Sequence, residues 1–215
     1  MSILPKTTTE ALRLIEKAEE AHADLVEVRL DCLRGPRGLA DLATHGKVPK
    51  IATIIKFSGT ENEQQQTLLS AAKNGFEYVD VELSSPKLQG IVKELSLLGV
   101  KPIVSFHDFA EPLSLSELNS VLEREIASGA DVCKIVTTAK RIEDNLTILN
   151  FTSTACSKTK IVCFAMGELG KVSRLLSPLF GGYFTFASLE RGGETAAGQM
   201  TIQEMETAYK LLGLK

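Results

Sequence analysis

The sequence predicts an α/β protein built as a closed (β/α)8 TIM barrel, and three observations support this fold class. Short β-rich runs recur about every 25 residues, as expected for repeated strand–helix units. Eight such runs alternate with helical stretches, which is how parallel strands are connected. No linker, low-complexity tract or charge block divides the chain, so we expect a single barrel domain over residues 1–215. An open doubly wound sheet is the alternative, but its GxGxxG fingerprint is absent.

The strands are predicted from short runs of β-branched and apolar residues. They lie near residues 1–4, 24–31, 50–56, 77–83, 101–106, 131–136, 160–164 and 183–187. Helices are predicted in most gaps, the first after the threonines at 7–9, whose hydroxyls are typical of a helix start. The third is expected to begin at Pro86, a favoured first-turn residue, and to end before Gly99. The other helices cover residues 61–73, 116–128, 143–156, 168–176 and 201–212, and the weakest lies around 35–46.

Composition excludes several classes of function. The net charge of −3 gives no basic footprint for nucleic acid. No run of about 18 apolar residues predicts a membrane span, and the N-terminus turns polar too soon for a signal peptide. The four cysteines form no CxxC pair, so we interpret them as free thiols in the cytoplasm and predict no metal site. No organic cofactor is required by any motif.

Charged residues alternate with apolar ones along the second predicted strand, residues 25–31. Successive strand residues point to opposite faces, so Glu27, Arg29 and Asp31 share the face that points into the barrel. Three charges on an interior face are costly unless they pair with each other or bind a ligand.

Four further strands carry ionisable residues toward their C-terminal ends. Asp80 and Glu82 face inward on strand four, and strand three ends near Lys56. Strands five and six contribute His107 and Lys134. Barrel enzymes build their active sites at this end of the barrel, although an ion-pair layer that plugs the interior is the alternative interpretation.

Lys134 is the candidate nucleophile. It lies within an apolar run, where desolvation is expected to lower its pKa and favour the neutral amine that attacks ketones to form Schiff bases. His107 ends a neighbouring strand and could transfer protons, with Glu82 orienting its ring. Alternatively, Lys134 extends from a strand end into solvent.

Three cations could hold an acidic substrate. Arginine suits bidentate binding of a carboxylate, and Arg29 and Arg174 are candidates for this contact. Lys56 would add a third positive charge.

The chain resembles the type I 3-dehydroquinate dehydratases of the shikimate pathway. The resemblance rests on six segments that run in family order from strand two almost to the C-terminus. They are EVRLD at 27–31, DVEL at 80–83, SFHDF at 105–109, DVCKI at 131–135, MGELGKVSR at 166–174 and TAAGQ at 195–199.

The resemblance implies a mechanism and a catalytic set. Lys134 is similar to the lysine that forms an imine with the ring ketone of 3-dehydroquinate. His107 resembles the general base that removes the adjacent proton, and Glu82 the carboxylate that orients it. Hydrolysis of the imine would then release 3-dehydroshikimate, and no cofactor is needed because the iminium is the electron sink.

The resemblance also implies substrate contacts. Glu27 and Arg29 match a substrate-binding pair, and Arg174 matches the arginine that binds the substrate carboxylate. Thr195 and Gln199 fall in a loop that closes over the substrate, with Gly192, Gly193 and Gly198 allowing it to move.

The chain departs from the family pattern at three positions. Lys56 stands where arginine is common, Thr195 where serine is common and Ala197 where proline is common. The family resemblance further suggests a cytoplasmic homodimer, to which the apolar C-terminal residues Leu211, Leu212 and Leu214 could contribute.

Two other functions stay open from the sequence. A class I aldolase or transaldolase also uses a Schiff-base lysine in a barrel, but it needs a phosphate site near strands seven and eight. A non-catalytic barrel that binds an acidic metabolite would keep the arginines without needing His107 and Lys134 together. The sequence does not distinguish a biosynthetic from a catabolic role.

Overall fold

The computed structural model describes residues 1–34, 38–56 and 58–214, and its centre is one parallel sheet. Seven strands pair in chain order, each with the next, which is the strand order of a β/α barrel. They are β1 Ser2–Ile3, β2 Val26–Arg29, β3 Lys50–Thr53, β4 Tyr78–Glu82, β5 Lys101–His107, β6 Val132–Thr138 and β7 Lys160–Met166.

Helices follow the strands and cover the outside of the sheet. They are α1 Thr8–Glu20, α2 Leu39–Thr44, α3 Glu61–Lys73, α4 Leu88–Leu97, α5 Leu115–Ala127, α6 Asp144–Ala155, α7 Lys171–Leu176 and α8 Ile202–Leu211. Short 3-10 turns span Leu30–Cys32, Glu168–Gly170 and Ser177–Phe180. None of the helices within the described ranges is long and apolar enough to cross a membrane.

Side-chain caps explain where several helices begin. Thr60, Ser114 and Thr201 each accept a hydrogen bond from the backbone of a glutamate three residues later, and that glutamate bonds back to the cap. The expectation that a helix begins at Pro86 is wrong. Helix α4 begins at Leu88, after Lys87 adopts a left-handed conformation with a φ of 58°. The weak helix predicted around residues 35–46 corresponds to the shorter α2, Leu39–Thr44. Residues 35–37 of that prediction lie outside the described residues.

The predicted eighth strand, residues 183–187, is not a strand in the structure. The segment nevertheless bridges the gap between the first and last strands. The Tyr183 backbone donates a hydrogen bond to the Ile161 carbonyl of β7 at 2.7 Å, and Ser2 of β1 donates to the Ala187 carbonyl at 3.0 Å. The curled sheet is therefore closed by this segment, which is hydrogen-bonded at both ends without forming a regular ladder.

The two faces of the strands have different roles. On the outer face, Val28, Val79 and Ile135 are buried against the helices, as the strand periodicity predicts. On the inner face, Ile103 and Val132 belong to a separate apolar cluster. This inner cluster supports the charged layer that lies one step further along the strands.

Candidate active site

Lys134 lies in the middle of β6, and its side chain points into the barrel among acidic residues. It is 4% exposed. Its Nζ donates to Oδ2 of Asp80 at 2.7 Å, lies 3.7 Å from Oε1 of Glu27 and sits 4.7 Å from the Phe186 ring centroid. The alternative that this lysine extends into solvent is therefore excluded.

The expectation of a neutral Lys134 amine is wrong. Burial lowers the pKa of Lys134, but the charges of Asp80 and Glu27 outweigh burial, so its pKa is raised above the ordinary value. The resting side chain is an ammonium ion. A reaction through this amine must therefore begin with loss of a proton.

Asp80 is the residue whose importance the sequence did not reveal. It is 4% exposed, and Ser105 donates to its Oδ1 at 2.5 Å. Burial raises the pKa of Asp80, but the positive charge of Lys134 lowers this pKa by more than burial raises it. The pKa therefore lies below its ordinary value, and the carboxylate is ionised. Strand alternation places Asp80 on the inner face, but the register between β4, β5 and β6 is needed to show which cation it meets.

Glu27 forms the second wall of this anionic pocket. Its Oε1 accepts a hydrogen bond from the Thr53 hydroxyl at 3.0 Å, and Ser2 donates to its Oε2. These hydroxyl donors come from β3 and β1, the neighbours of β2 on either side. The carboxylate is thus held in place while one of its oxygens faces Lys134.

His107 ends β5 and is hydrogen-bonded as the sequence predicts. Its Nδ1 lies 2.9 Å from Oε2 of Glu82, and its ring stacks on Phe109 with centroids 5.7 Å apart. A carboxyl oxygen beside Nδ1 favours the tautomer that carries the proton on Nδ1 and the lone pair on Nε2. The imidazole is therefore arranged to act as a base through Nε2.

Arg174, in the last turn of α7, is a buried cation with unused donors. It is 1% exposed, and its Nε and Nη2 have no hydrogen-bond partner among the described residues. Burial lowers its pKa to about 10, and its guanidinium carbon sits 4.1 Å from the Phe164 ring centroid. A buried guanidinium with free donors is costly, so its position predicts an anionic ligand.

Arg29 is already paired. Its Nε and Nη2 donate to the two carboxylate oxygens of Asp31 at 2.9 and 2.7 Å. Burial lowers the pKa of Arg29, but Asp31 raises it above the ordinary value. Asp31 lies in the 3-10 turn after β2, so it reaches back to Arg29 instead of pointing inward from a strand.

The loop that carries Thr195 and Gln199 covers the same region. The Thr195 backbone and hydroxyl both donate to Oε1 of Gln199, at 2.7 and 3.2 Å. The Nε2 of Gln199 is buried without a partner among the described residues. Gly198 has a φ of 74°, and a side chain here would overlap the Gly167 carbonyl. This glycine therefore allows the loop to pack tightly against the turn after β7.

The structure does not bring Lys56 into the site. Strand β3 ends at Thr53, earlier than the predicted residue 56, and the chain then bends. The Lys56 side chain is exposed and is not among the described residues that line the cavity beside Lys134. Its backbone instead donates to Oδ2 of Asp31 at 3.1 Å. The next residue, Phe57, lies outside the described residues.

The structure brings most of the predicted site residues to one cavity of about 60 Å³. Glu82 contacts the site through His107 instead of lining the cavity itself. In the part of the chain that the structure describes, no group of three or more His, Cys, Asp or Glu side chains is arranged to hold a metal ion. The predicted residues that line the cavity are Glu27, Arg29, His107, Lys134, Arg174, Thr195 and Gln199.

Known proteins are similar to this chain in sequence and in fold. The family model for type I 3-dehydroquinase matches residues 1–215. A 3-dehydroquinate dehydratase of Dehalococcoides mccartyi is 38% identical over 192 residues, which cover 87% of this chain and 86% of the relative. Another from Methanococcus maripaludis is 35% identical over 223 residues, covering 99% and 100%.

A solved structure agrees with the fold. The crystal structure of 3-dehydroquinate dehydratase from Geobacillus kaustophilus superposes with a TM-score of 0.89 at 24% identity, covering 99% of this chain and 89% of that chain. The fold similarity accompanies a family match over the whole sequence. The chain belongs to the type I 3-dehydroquinase family.

Proposed function

We propose that the protein dehydrates 3-dehydroquinate to 3-dehydroshikimate through a Schiff base on Lys134, as a step of the shikimate pathway. The observation that carries the proposal is a buried lysine that shares one cavity with a histidine and with an arginine whose Nε and Nη2 have no hydrogen-bond partner among the described residues, in a chain of this family. Neither alternative explains this combination. A sugar-phosphate aldolase would not account for the match to the type I 3-dehydroquinase family, and a simple binder does not need the lysine and histidine together.

Substrate binding begins with the carboxylate. Nε and Nη2 of Arg174 can donate to the two oxygens of a carboxylate. These hydrogen bonds would offset the cost of burying the two donors. The loop with Thr195 and Gln199 lines this cavity of about 60 Å³, and we expect it to open for the substrate and to close again, which would exclude water from the imine.

Imine formation requires the Lys134 ammonium to lose a proton. Asp80 at 2.7 Å is the nearest acceptor, and Glu27 at 3.7 Å is the next. The neutral amine then attacks the ring ketone, and the carbinolamine loses water to give an iminium ion. The carboxylates that hold the resting ammonium also stabilise the positive charge of the iminium.

The iminium ion accepts electrons from the ring and so makes dehydration possible. The iminium acidifies the adjacent C–H bond, and His107 removes this proton through Nε2 to leave an enamine. The enamine electrons expel the ring hydroxyl, which leaves as water after protonation by His107. Hydrolysis of the conjugated imine then releases the product and restores the Lys134 amine.

The remaining residues position these groups. Glu82 fixes the orientation of His107, while Glu27, Arg29, Thr195 and Gln199 are the substrate contacts. Lys56 takes no part in the proposed reaction, because its side chain is exposed outside the cavity.

The test compares Lys134→Met with the matched exposed variant Lys158→Met. Dehydration of 3-dehydroquinate is followed by the absorbance of the conjugated product, and ligand binding by calorimetry. We expect Lys134→Met to lose nearly all turnover while Lys158→Met retains it. If Lys134→Met kept most of its activity, the Schiff-base mechanism would be wrong. A folded wild type that binds substrate without turning it over would favour the non-catalytic barrel, and turnover of sugar phosphates would favour the aldolase.

We also propose that the enzyme acts in the cytoplasm as a homodimer. The exposed leucines Leu211 and Leu212, 84% and 55% accessible, would be partly covered in such a dimer. The free thiols of Cys133 and Cys163 suit a reducing compartment. Light scattering of the purified protein tests the dimer, and a monomer at micromolar concentration would contradict it.

A further inference from the structure

A second cavity lies at the opposite end of the barrel from Lys134. Its volume is about 560 Å³, within the range of small-molecule sites, whereas the cavity beside Lys134 measures about 60 Å³. Leu25, Ile51 and Tyr78 line it from the N-terminal ends of the strands, and Met205 and Tyr209 from α8. Nothing in the proposed dehydration uses this end of the barrel.

Aromatic side chains are concentrated in this cavity. The chain has three tyrosines, and all three, Tyr78, Tyr183 and Tyr209, line it together with Phe184 and Phe186. The hydroxyls of Tyr78 and Tyr183 lie 3.3 Å apart, and the rings of Tyr183 and Phe184 have centroids 5.5 Å apart. Such walls favour a ligand with an apolar or aromatic body.

The charge of the lining is negative. Among the described lining residues, Asp24 and Glu206 carry carboxylates and none is a lysine or arginine. Met1 also lines the cavity; its amine donates to the Leu25 carbonyl, and burial lowers its pKa to about 6. The remaining titratable side chains are the tyrosines and His22. The cavity therefore favours a positive ligand over a negative one.

The tyrosine rings already contact cations on the outside of the protein. Nζ of Lys101 lies 5.2 Å from the Tyr78 ring centroid, and Nζ of Lys160 lies 5.5 Å from that of Tyr183. Lys160 is neutralised by Asp131 at 3.1 Å. Neither lysine is among the lining residues of the cavity, and the negative π faces of these rings are compatible with a cationic ligand on the cavity side.

We propose that this cavity is a binding site for a small organic cation with an apolar body, such as an arylalkyl ammonium. The body packs among the tyrosine and phenylalanine rings, and the ammonium group is attracted by Asp24 and Glu206 at the rim. Phe186 lines both cavities, and its ring centroid lies 4.7 Å from Nζ of Lys134. The site thus shares one wall with the proposed catalytic cavity.

Tyrosine fluorescence tests the inference directly. The chain has no tryptophan, and all its tyrosines line this cavity, so tyrosine emission reports on it alone. The full-length protein is titrated with benzylammonium, benzyl alcohol and benzoate at pH 8. We expect saturable changes in emission with affinity in the order cation, neutral molecule, anion. No saturable change, or benzoate binding as well as benzylammonium, would overturn the proposal.

A charge variant identifies the group that selects the cation. Glu206→Gln removes one rim carboxylate of α8 and should weaken benzylammonium about fivefold while leaving benzyl alcohol unchanged. Glu123→Gln, an exposed change on α5, is the matched control and should alter neither. Equal weakening in both variants would contradict the assigned role of Glu206.

A second copy of the chain is the competing occupant. If it fills the cavity, tyrosine emission will depend on protein concentration without any ligand, and added benzylammonium will not compete. That result would overturn the small-molecule site. Because every measurement here is of binding in the absence of 3-dehydroquinate, its failure is distinct from a failure of the proposed dehydration.

Discussion

Two carboxylates are buried on either side of the strand that carries Lys134, and they have opposite pKa shifts. Asp80 inside the barrel is 4% exposed and bonds to Lys134 and Ser105. Glu125 of α5 is fully buried outside the barrel against β6, where its carboxyl group makes no well-aligned hydrogen bond and lies beside the Cys133 thiol and the Lys134 backbone. The pKa of Asp80 is lowered, while that of Glu125 is raised well above its ordinary value.

The partner, and not the burial, determines the charge state. Burial raises the pKa of both groups, but only Asp80 has a cation close enough to reverse the shift. The negative charge of Asp80 is in addition a cause of the raised pKa of Glu125. We conclude that β6 separates an ionised carboxylate paired with Lys134 from a carboxyl group beside the Cys133 thiol whose pKa is raised by burial.

The largest effect is expected from Asp80→Asn, which leaves the Lys134 ammonium without its closest counter-charge. Breaking a buried ion pair costs about 3–5 kcal/mol, so the free energy of unfolding at pH 7 should fall by this amount. Asp131→Asn breaks the more exposed pair with Lys160 and should cost less than about 1 kcal/mol. Urea denaturation of both variants measures the difference, and equal losses would contradict the assigned importance of Asp80.

A smaller effect is expected at Glu82, a partly exposed carboxylate of the same strand. Glu82→Gln should lower kcat about 10- to 100-fold, less than the roughly 10²–10⁴-fold contribution of a general base itself. The free energy of unfolding of this variant should change little, since the Glu82 side chain is 35% exposed. Rates across pH 5–9 test this prediction. An unchanged rate and pH profile would show that His107 does not need Glu82.

Replacement of Glu125 should act in the opposite direction from that of Asp80. Glu125→Leu removes a buried carboxyl group that has no cation beside it and should raise the free energy of unfolding by about 1–3 kcal/mol at pH 8. Turnover should stay within about threefold, since the residue lies outside the barrel. Glu125→Gln, which keeps a buried polar group, is the matched control and should gain less. Destabilisation by Glu125→Leu would show that Glu125 has a partner.

The smallest effect is the pH dependence of this gain. The folded pKa of Glu125 lies above the unfolded value near 4.5, so the folded state binds the extra proton. Its contribution to stability is complete below pH 4.5 and is lost as pH rises through the folded pKa. The advantage of Glu125→Leu over wild type should therefore grow from pH 5 to pH 9. A constant difference in urea midpoints would contradict the raised pKa.

Strand periodicity predicted much of the fold and site. Because side chains alternate between the faces of a strand, Glu27, Asp80 and Lys134 could be placed on the inner face without a structure. The bounds of α3 were also predictable, since Thr60 and Glu63 form a capping box.

Contacts between distant strands could not be predicted in the same way. The hydrogen bond between Lys134 and Asp80 depends on the register of β4, β5 and β6. The sequence therefore predicted that Lys134 is buried but did not identify Asp80 as its counter-charge, and the predicted direction of the Lys134 pKa shift was wrong. The position of Lys56 depended on where β3 ends, and strand ends are set by tertiary contacts. The segment 183–187 has a strand-like sequence, but only its two ends reach a neighbouring strand.

The most direct test of the account is to trap the imine. The protein is mixed with 3-dehydroquinate and borohydride, its intact mass is measured, and the modified peptide is mapped. We expect time-dependent inactivation and a single substrate- or product-sized adduct on Lys134, faster at higher pH because the resting amine is protonated. A folded protein that binds the compound and gains no adduct, or an adduct on another lysine, would contradict the central role of Lys134.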